Sequence, residues 1–155
     1  MIGNRGGQRP PQHRPGGGET AFPVPSSAEV RAIIADGDAE TLLRVAERVG
    51  CALVQEKLTT SQIRAFFGTV RQIEMSWPPT GTDAETTRAR RRELLLLRPK
   101  LAYQAARAPG RGVKRLRDVL DPAIAEVGGD RQRFQHFVDF FEAILAYHRA
   151  AGGRD

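Results

Sequence analysis

The sequence predicts an all-α protein, a single compact bundle of five to six helices with a disordered N-terminal tail. Apolar residues recur at the 3.6-residue spacing of amphipathic helices in several segments. Several of those segments begin at capping residues, and proline or glycine marks several of the loops between them. No alternating strand pattern, internal repeat or heptad run is present. At 155 residues and 40% hydrophobic composition, the chain suits one domain.

The two ends of the chain lack the composition of a core. Residues 1–25 hold five of the ten prolines and six of the sixteen glycines, with three arginines and few aliphatic residues. Such a segment cannot bury enough apolar surface to offset its ordering entropy, so we expect a flexible, mildly basic tail. Its arginines either are simply solvated, which we favour, or touch nucleic acid non-specifically. The helical domain then covers residues 26–149, and residues 150–155 form a flexible C-terminus.

Two helices are predicted before residue 56. Ser26 and Glu29 have the spacing of a capping box, and the short helix after them ends at Asp36-Gly37-Asp38. Two aspartates around a glycine are either turn and cap chemistry, which we favour, or metal ligands. Asp38 caps the next helix, with Cys51 in or beside its apolar stripe. The stripe comprises Leu42, Leu43, Val45, Ala46, Val49, Leu53 and Val54.

The third helix begins within the stretch Lys57-Leu-Thr-Thr-Ser-Gln-Ile-Arg64. Thr59 and Gln62 have capping-box spacing, and the flanking Leu58 and Ile63 have the spacing of a hydrophobic staple. Arg64 and Arg71 lie nearly in line along one edge, either as solvated surface residues or as contacts to an anion. Pro78-Pro79 ends the helix. Its apolar face comprises Ile63, Phe66, Phe67, Val70, Ile73 and Trp77.

A long helix is predicted from residue 83 or 84 to about Arg107, kinked or split in two by Pro99. Lys100, Tyr103 and Arg107 share a face that differs from the leucine stripe. A cation, aromatic, cation arrangement suits a nucleic-acid backbone, because arginine meets phosphate and tyrosine stacks or donates a hydrogen bond. Tyr103 at a helix-packing seam is the ordinary alternative.

Two more amphipathic helices follow Pro109-Gly110 and are separated by Gly128-Gly129-Asp130. The helix that follows Pro109-Gly110 carries Lys114, Arg115 and Arg117 in its first turns. Positive charge near a helix N-terminus is unfavourable for the helix dipole, so this cluster suggests an external anion. The last helix is aromatic-rich on one face. That face comprises Phe134, Phe137, Val138, Phe141, Ile144, Leu145 and His148. We interpret His148 as a packing residue, since His136 and His148 have no metal-ligand pattern around them.

The net charge indicates the class of binding partner, and the cysteine count and the lack of a signal peptide indicate the cellular compartment. The net charge is +6 with a pI of about 10.4, and 21 arginines stand against three lysines. Arginine excess reflects either a GC-rich genome or forked phosphate contacts. The net positive charge favours a polyanionic partner, and we expect nucleic acid ahead of a membrane. A single cysteine and no signal peptide predict a reducing, cytoplasmic setting, and no aliphatic run spans a bilayer. No cofactor is expected.

Three segments together resemble the small subunit of type III-A CRISPR effector (Csm) complexes. The segments are Lys57-Leu-Thr-Thr-Ser-Gln-Ile-Arg64 with Phe66-Phe67, Leu97-Arg-Pro-Lys-Leu-Ala-Tyr-Gln-Ala-Ala-Arg107, and Phe137-Val-Asp-Phe-Phe-Glu-Ala-Ile-Leu-Ala-Tyr-His148. The resemblance covers roughly residues 26 to 149, with Ala106 in place of an expected glycine.

This resemblance implies a non-catalytic subunit in an antiviral ribonucleoprotein, stacked in several copies as its inner filament. The implied partners are guide RNA, target RNA, the backbone and large subunits, and neighbouring copies of itself. Lys57 and Arg64 match basic positions of the first motif, and Arg98, Lys100 and Arg107 match those of the second. We add Arg71 from helix geometry, with Tyr103 and Gln62 as companions, and assign this set to nucleic-acid binding.

Two other classes compete with this hypothesis. A helical DNA-binding regulator fits the charge, but no helix-turn-helix spacing stands out. A small enzyme or metal protein would need a nucleophile and base pair, a Cys/His cluster or a strand-preceded phosphate loop, and the sequence shows none of these.

Overall fold

The structure, a computed structural model, describes residues 21–155, which form six α-helices and no strands. This confirms the all-α prediction, whereas the predicted tail lies outside the described residues up to position 20. None of the helices described is long and apolar enough to cross a membrane. The helices are α1 Ser27–Ile34, α2 Ala39–Gln55, α3 Thr60–Ser76, α4 Ala84–Arg107, α5 Gly112–Val127 and α6 Arg131–Ala150.

Side-chain caps start five of the six helices. The predicted capping boxes at Ser26 and Thr59 are both complete, and aspartates cap α2, α4 and α6. Each cap accepts a hydrogen bond from a backbone N–H that the first turn of a helix leaves unpaired. Only α5 starts without such a bond, at Arg111. The chain breaks between helices are therefore set locally, as the sequence predicted.

Helix α6 lies at the centre of the bundle and packs on α1, α2, α3 and α5. Its aromatic face meets the end of α3, where Trp77 stacks on Phe134 with 5.0 Å between ring centroids. Helix α4 packs on α5 and α3. Helices α3 and α4 consequently form a pair at the surface, and the candidate site lies between them.

Three details of the core differ from the sequence prediction. Leu43 and Cys51 are exposed, because the buried face of α2 is narrow and Leu43 lies about 100° around the helix from its centre. Phe140 is buried although it was not assigned to the core face, because α6 is surrounded on several sides. Pro99 does not split α4, because it lies on the exposed side while the buried leucines continue past it.

The residues after α6 turn back onto the start of α3. The N–H of Gly153 donates to the carbonyl of His148, and the N–H of Thr60 donates to the carbonyl of Arg154, both at 2.9 Å. The sequence predicted a flexible end here. At the other end, the Phe22 ring lies 5.6 Å from the guanidinium of Arg115, so this residue of the predicted tail contacts α5.

Candidate nucleic-acid interface

The start of α3 is held by reciprocal bonds between Thr59 and Gln62. The Thr59 hydroxyl accepts from the N–H of Gln62 at 3.1 Å, and Gln62 Oε1 accepts from the N–H of Thr59 at 3.0 Å. The cap and RNA-contact interpretations of Gln62 therefore involve different atoms. Oε1 is used by the cap, and the Nε2 amino group is left to face a ligand.

The segment before this cap is fixed from two sides. Leu58 is buried, and its carbonyl accepts a 2.7 Å hydrogen bond from His148 Nε2. On the other side it packs on Gly112, where an added Cβ would lie 2.9 Å from the Leu58 Cβ. Lys57 is exposed and has a φ of 59°, the left-handed conformation that non-glycine residues seldom adopt. Its backbone position is thus set by its buried neighbour.

A groove of about 780 Å³ runs between α3 and α4. Its floor and walls are mainly apolar, with amide and hydroxyl groups and one ammonium group among the lining side chains. The lining residues are Ser61, Gln62, Ala65, Phe66, Thr69, Leu96, Leu97, Pro99, Lys100, Tyr103, Gln104, Ala108 and Val113.

Lys100, Tyr103 and Arg107 form one exposed stripe on α4, as the helical spacing predicted. The Arg107 guanidinium donates to the Tyr103 hydroxyl at 2.7 Å and lies 5.4 Å from the centre of its ring. Tyr103 is 57% exposed, so it is not at a helix-packing seam. The stripe therefore presents two cations and an aromatic ring to solvent along the groove.

Arg98 lies on the opposite side of α4 from this stripe. It makes a forked pair with Asp121 of α5, with N to O distances of 2.8 and 3.1 Å. Hydrogen bonding to Arg98 lowers the pKa of Asp121, and the same bond raises the pKa of Arg98. The structure does not bring Arg98 together with Lys100. A phosphate contact by Arg98 would have to compete with its ion pair to Asp121.

Arg64 and Arg71 are exposed on the outer face of α3, outside the groove. Arg71 is paired with Glu74 at 2.9 Å. The predicted residues thus occupy two separate surfaces, the stripe on α4 and the outer edge of α3 with Lys57 before it. Their assignment to nucleic-acid binding stays a prediction.

The apolar part of this region was not predicted from the sequence. Phe66 was assigned to the core face, but it is only half-buried and lines the groove. Leu95 and Leu96 are exposed, at 38% and 46%. The run of four leucines from Leu94 was the available signal, because consecutive positions on a helix point in directions about 100° apart and cannot all face inward.

No group of three or more histidine, cysteine or acidic side chains within residues 21–155 is arranged to hold a metal ion. The side chains that line the groove supply amide, hydroxyl, ammonium and apolar groups, and the stripe adds the Arg107 guanidinium.

Comparison with known proteins identifies the family. The family model described as Csm2 Type III-A matches residues 36–154, which include α2 to α6 and the whole groove. No curated protein and no solved structure gives a significant match. The matched region covers more than half of the chain. The protein therefore belongs to the Csm2 Type III-A family, the small subunits of type III-A CRISPR Csm complexes.

Proposed function

We propose that this Csm2-family subunit is a non-catalytic, cytoplasmic component of the inner filament, where it holds the backbone of the guide and target RNA. The observation that carries this proposal is the exposed stripe of Lys100, Tyr103 and Arg107 beside the capped start of α3. Sequence reading in RNA-guided complexes is done by base pairing, so such a subunit needs contacts to phosphate and shape rather than to particular bases.

The arrangement of charge supports this role. Arg107 is held on Tyr103 by a 2.7 Å bond, which reduces the ordering cost when its remaining N–H groups meet phosphate. Arg64 is exposed and makes no ion pair within the described residues. Both are positioned on rigid helices, and the cap fixes the helix that carries Arg64.

The test compares two double variants of equal charge. Arg64→Glu with Arg107→Glu is measured against Arg31→Glu with Arg149→Glu, which changes exposed arginines on α1 and α6. Affinity for single-stranded RNA and for a guide–target duplex is followed by fluorescence anisotropy over a range of salt. We expect the first variant to lose about tenfold or more and to show a shallower salt slope, because fewer counterions are released.

Equal losses in both variants, or no loss in the first with helicity intact by circular dichroism, would overturn the site. A duplex DNA probe in the same assay checks the competing DNA-binding hypothesis, which requires DNA to bind more tightly than RNA. Co-purification of guide RNA and of the backbone and large subunits with the tagged chain checks its place in the complex.

Contacts with neighbouring copies form the second part of the proposal. The outward face of α2 carries Leu43 and Cys51 with Glu40 and Glu47 beside them, all exposed, and Arg44 on the same face is paired with Glu29 of α1. The first half of α4, which packs on α3 and α5, exposes Leu95 among several arginines. Complementary patches on two different helices favour head-to-tail contacts, which build a filament when the rotation between copies does not close a ring. These arginines are Arg88, Arg91 and Arg92.

Charge exchange tests this stacking. Glu47→Arg and Arg91→Glu should each weaken self-association in sedimentation velocity, because each places like charges opposite one another. The combination of both substitutions in one chain should restore it. Self-association that neither single variant changes would show that other surfaces form the filament.

A further inference from the structure

The groove between α3 and α4 contains more apolar surface than phosphate binding requires. The buried Leu97 and Val113 form its floor, and Phe66 of α3 and Leu96 of α4 also line it. A phosphate contact uses cations at a surface and gains nothing from such a floor. The exposed ring of Tyr103 adds an aromatic surface at the edge. Apolar walls with an aromatic ring match the faces of a nucleobase.

Polar groups in the groove match the edge of a base. Gln62 Oε1 is held by the N–H of Thr59, so its Nε2 amino group has a fixed position on the α3 side. The amide of Gln104 lines the α4 side. Carbonyl and ring-nitrogen acceptors of an unpaired base can accept from these amides, whereas in a duplex those groups are already paired.

The charge around the groove favours an anionic ligand. None of the described residues that line it is acidic, and Lys100 is among them. Arg107 lies one turn beyond Tyr103 on the same stripe. An RNA strand crossing the stripe would place phosphates at these two cations and a base between them, over Tyr103.

We propose that this groove holds an unstacked nucleobase of single-stranded RNA, with Lys100 and Arg107 on the flanking phosphates. The proposal rests on the RNA-binding function above and adds the chemical class that the groove selects. Unpaired nucleotides bind in it, and fully paired ones contact only the phosphate-binding residues. An apolar protein helix is the competing occupant, which the experiment separates.

The experiment uses the full chain with two probes of equal charge, an oligouridine and an abasic ribose-phosphate oligomer of the same length. We expect the oligouridine to bind about 5- to 100-fold more tightly, the range that base stacking on an aromatic side chain supplies. Tyr103→Phe should keep this difference and Tyr103→Ala should reduce it.

Ala65→Trp fills the groove from an exposed position on α3. It should lower oligouridine affinity to the abasic level while the salt slope stays unchanged, because the phosphate contacts remain. The matched control is Ala146→Trp, an exposed alanine on α6, which should bind as wild type.

Equal affinity of the wild-type chain for both probes overturns the base site, and the proposed function still stands if the Arg64 and Arg107 variant loses binding. Absence of binding to either probe at low salt would instead contradict the proposed function itself. If Ala65→Trp leaves oligouridine affinity unchanged but prevents co-purification of the other subunits, the groove is a protein-docking site and the base proposal is wrong.

Discussion

His148 Nε2 donates a 2.7 Å hydrogen bond to the carbonyl of Leu58, which joins the end of α6 to the segment that precedes α3. The ring is completely buried, and Gly153 lies so close over it that an added Cβ would overlap the ring atoms. The next residue, Arg154, accepts from the N–H of Thr60. One histidine therefore connects the last turn of the bundle with the helix start on which the candidate site depends.

His148→Ala should lower the free energy of unfolding by about 2–4 kcal/mol, because it opens a buried cavity and leaves the Leu58 carbonyl unpaired. Urea unfolding followed by circular dichroism measures this loss. The adjacent Arg149 is exposed, and Arg149→Ala should stay within about 0.5 kcal/mol of wild type. A His148→Ala loss no larger than that of the control would show that the contact is dispensable.

Two helical glycines should respond to alanine in opposite ways. A Cβ at Gly112 would meet the Leu58 Cβ at 2.9 Å and its Cα at 3.0 Å, whereas a Cβ at Gly68 would meet nothing within 4 Å. We expect Gly112→Ala to destabilise by about 1–3 kcal/mol through overpacking. Gly68→Ala should stabilise by about 0.5–1 kcal/mol, because alanine favours the helix. Thermal unfolding of both variants should show opposite shifts, and a loss at Gly68 would indicate a contact on that face.

Thr59→Ala removes the hydroxyl that caps α3, and should cost about 0.5–2 kcal/mol. Fraying of the first turn should also raise amide hydrogen exchange at Gln62, whose N–H now lacks its acceptor. Ser61 is exposed in the same first turn and takes no part in the cap bond. Ser61→Ala therefore serves as the control and should be neutral. Unchanged exchange at Gln62 in Thr59→Ala would mean that water replaces the hydroxyl without loss.

The Arg98–Asp121 pair predicts a pH dependence of stability. Because the hydrogen bond from Arg98 lowers the pKa of Asp121, the carboxylate stabilises the folded state above its ordinary pKa, and this contribution is lost as the pH falls through the lowered value. The pair is partly exposed, so we expect only about 0.2–1 kcal/mol.

The measurement compares wild type with Asp121→Asn across pH. The difference in unfolding free energy should be constant above about pH 5 and should shrink below about pH 4. In an Arg98→Ala background the same substitution should produce a smaller difference. A difference between wild type and Asp121→Asn that does not change with pH would contradict the predicted coupling.

Most of the helical framework followed from local chemistry. Caps at Ser26, Asp38, Thr59 and Asp130 and several breaks at proline or glycine act within a few residues, so the sequence alone indicated them. The stripe of Lys100, Tyr103 and Arg107 also followed, because one helix fixes the relative directions of its side chains.

Tertiary packing decided which apolar and charged residues remain available. Leu43, Leu95 and Leu96 stay at the surface because their sides of α2 and α4 have no covering helix among the described residues. Arg98 meets Asp121 from a different helix, and the groove exists only because α3 and α4 lie side by side. Helix period and capping are properties of neighbouring residues, and they determined the helices and the cation stripe from sequence. Contacts between distant residues depend on how the helices pack, so only the folded bundle decided the groove, the ion pairs and the anchoring of α3 by His148.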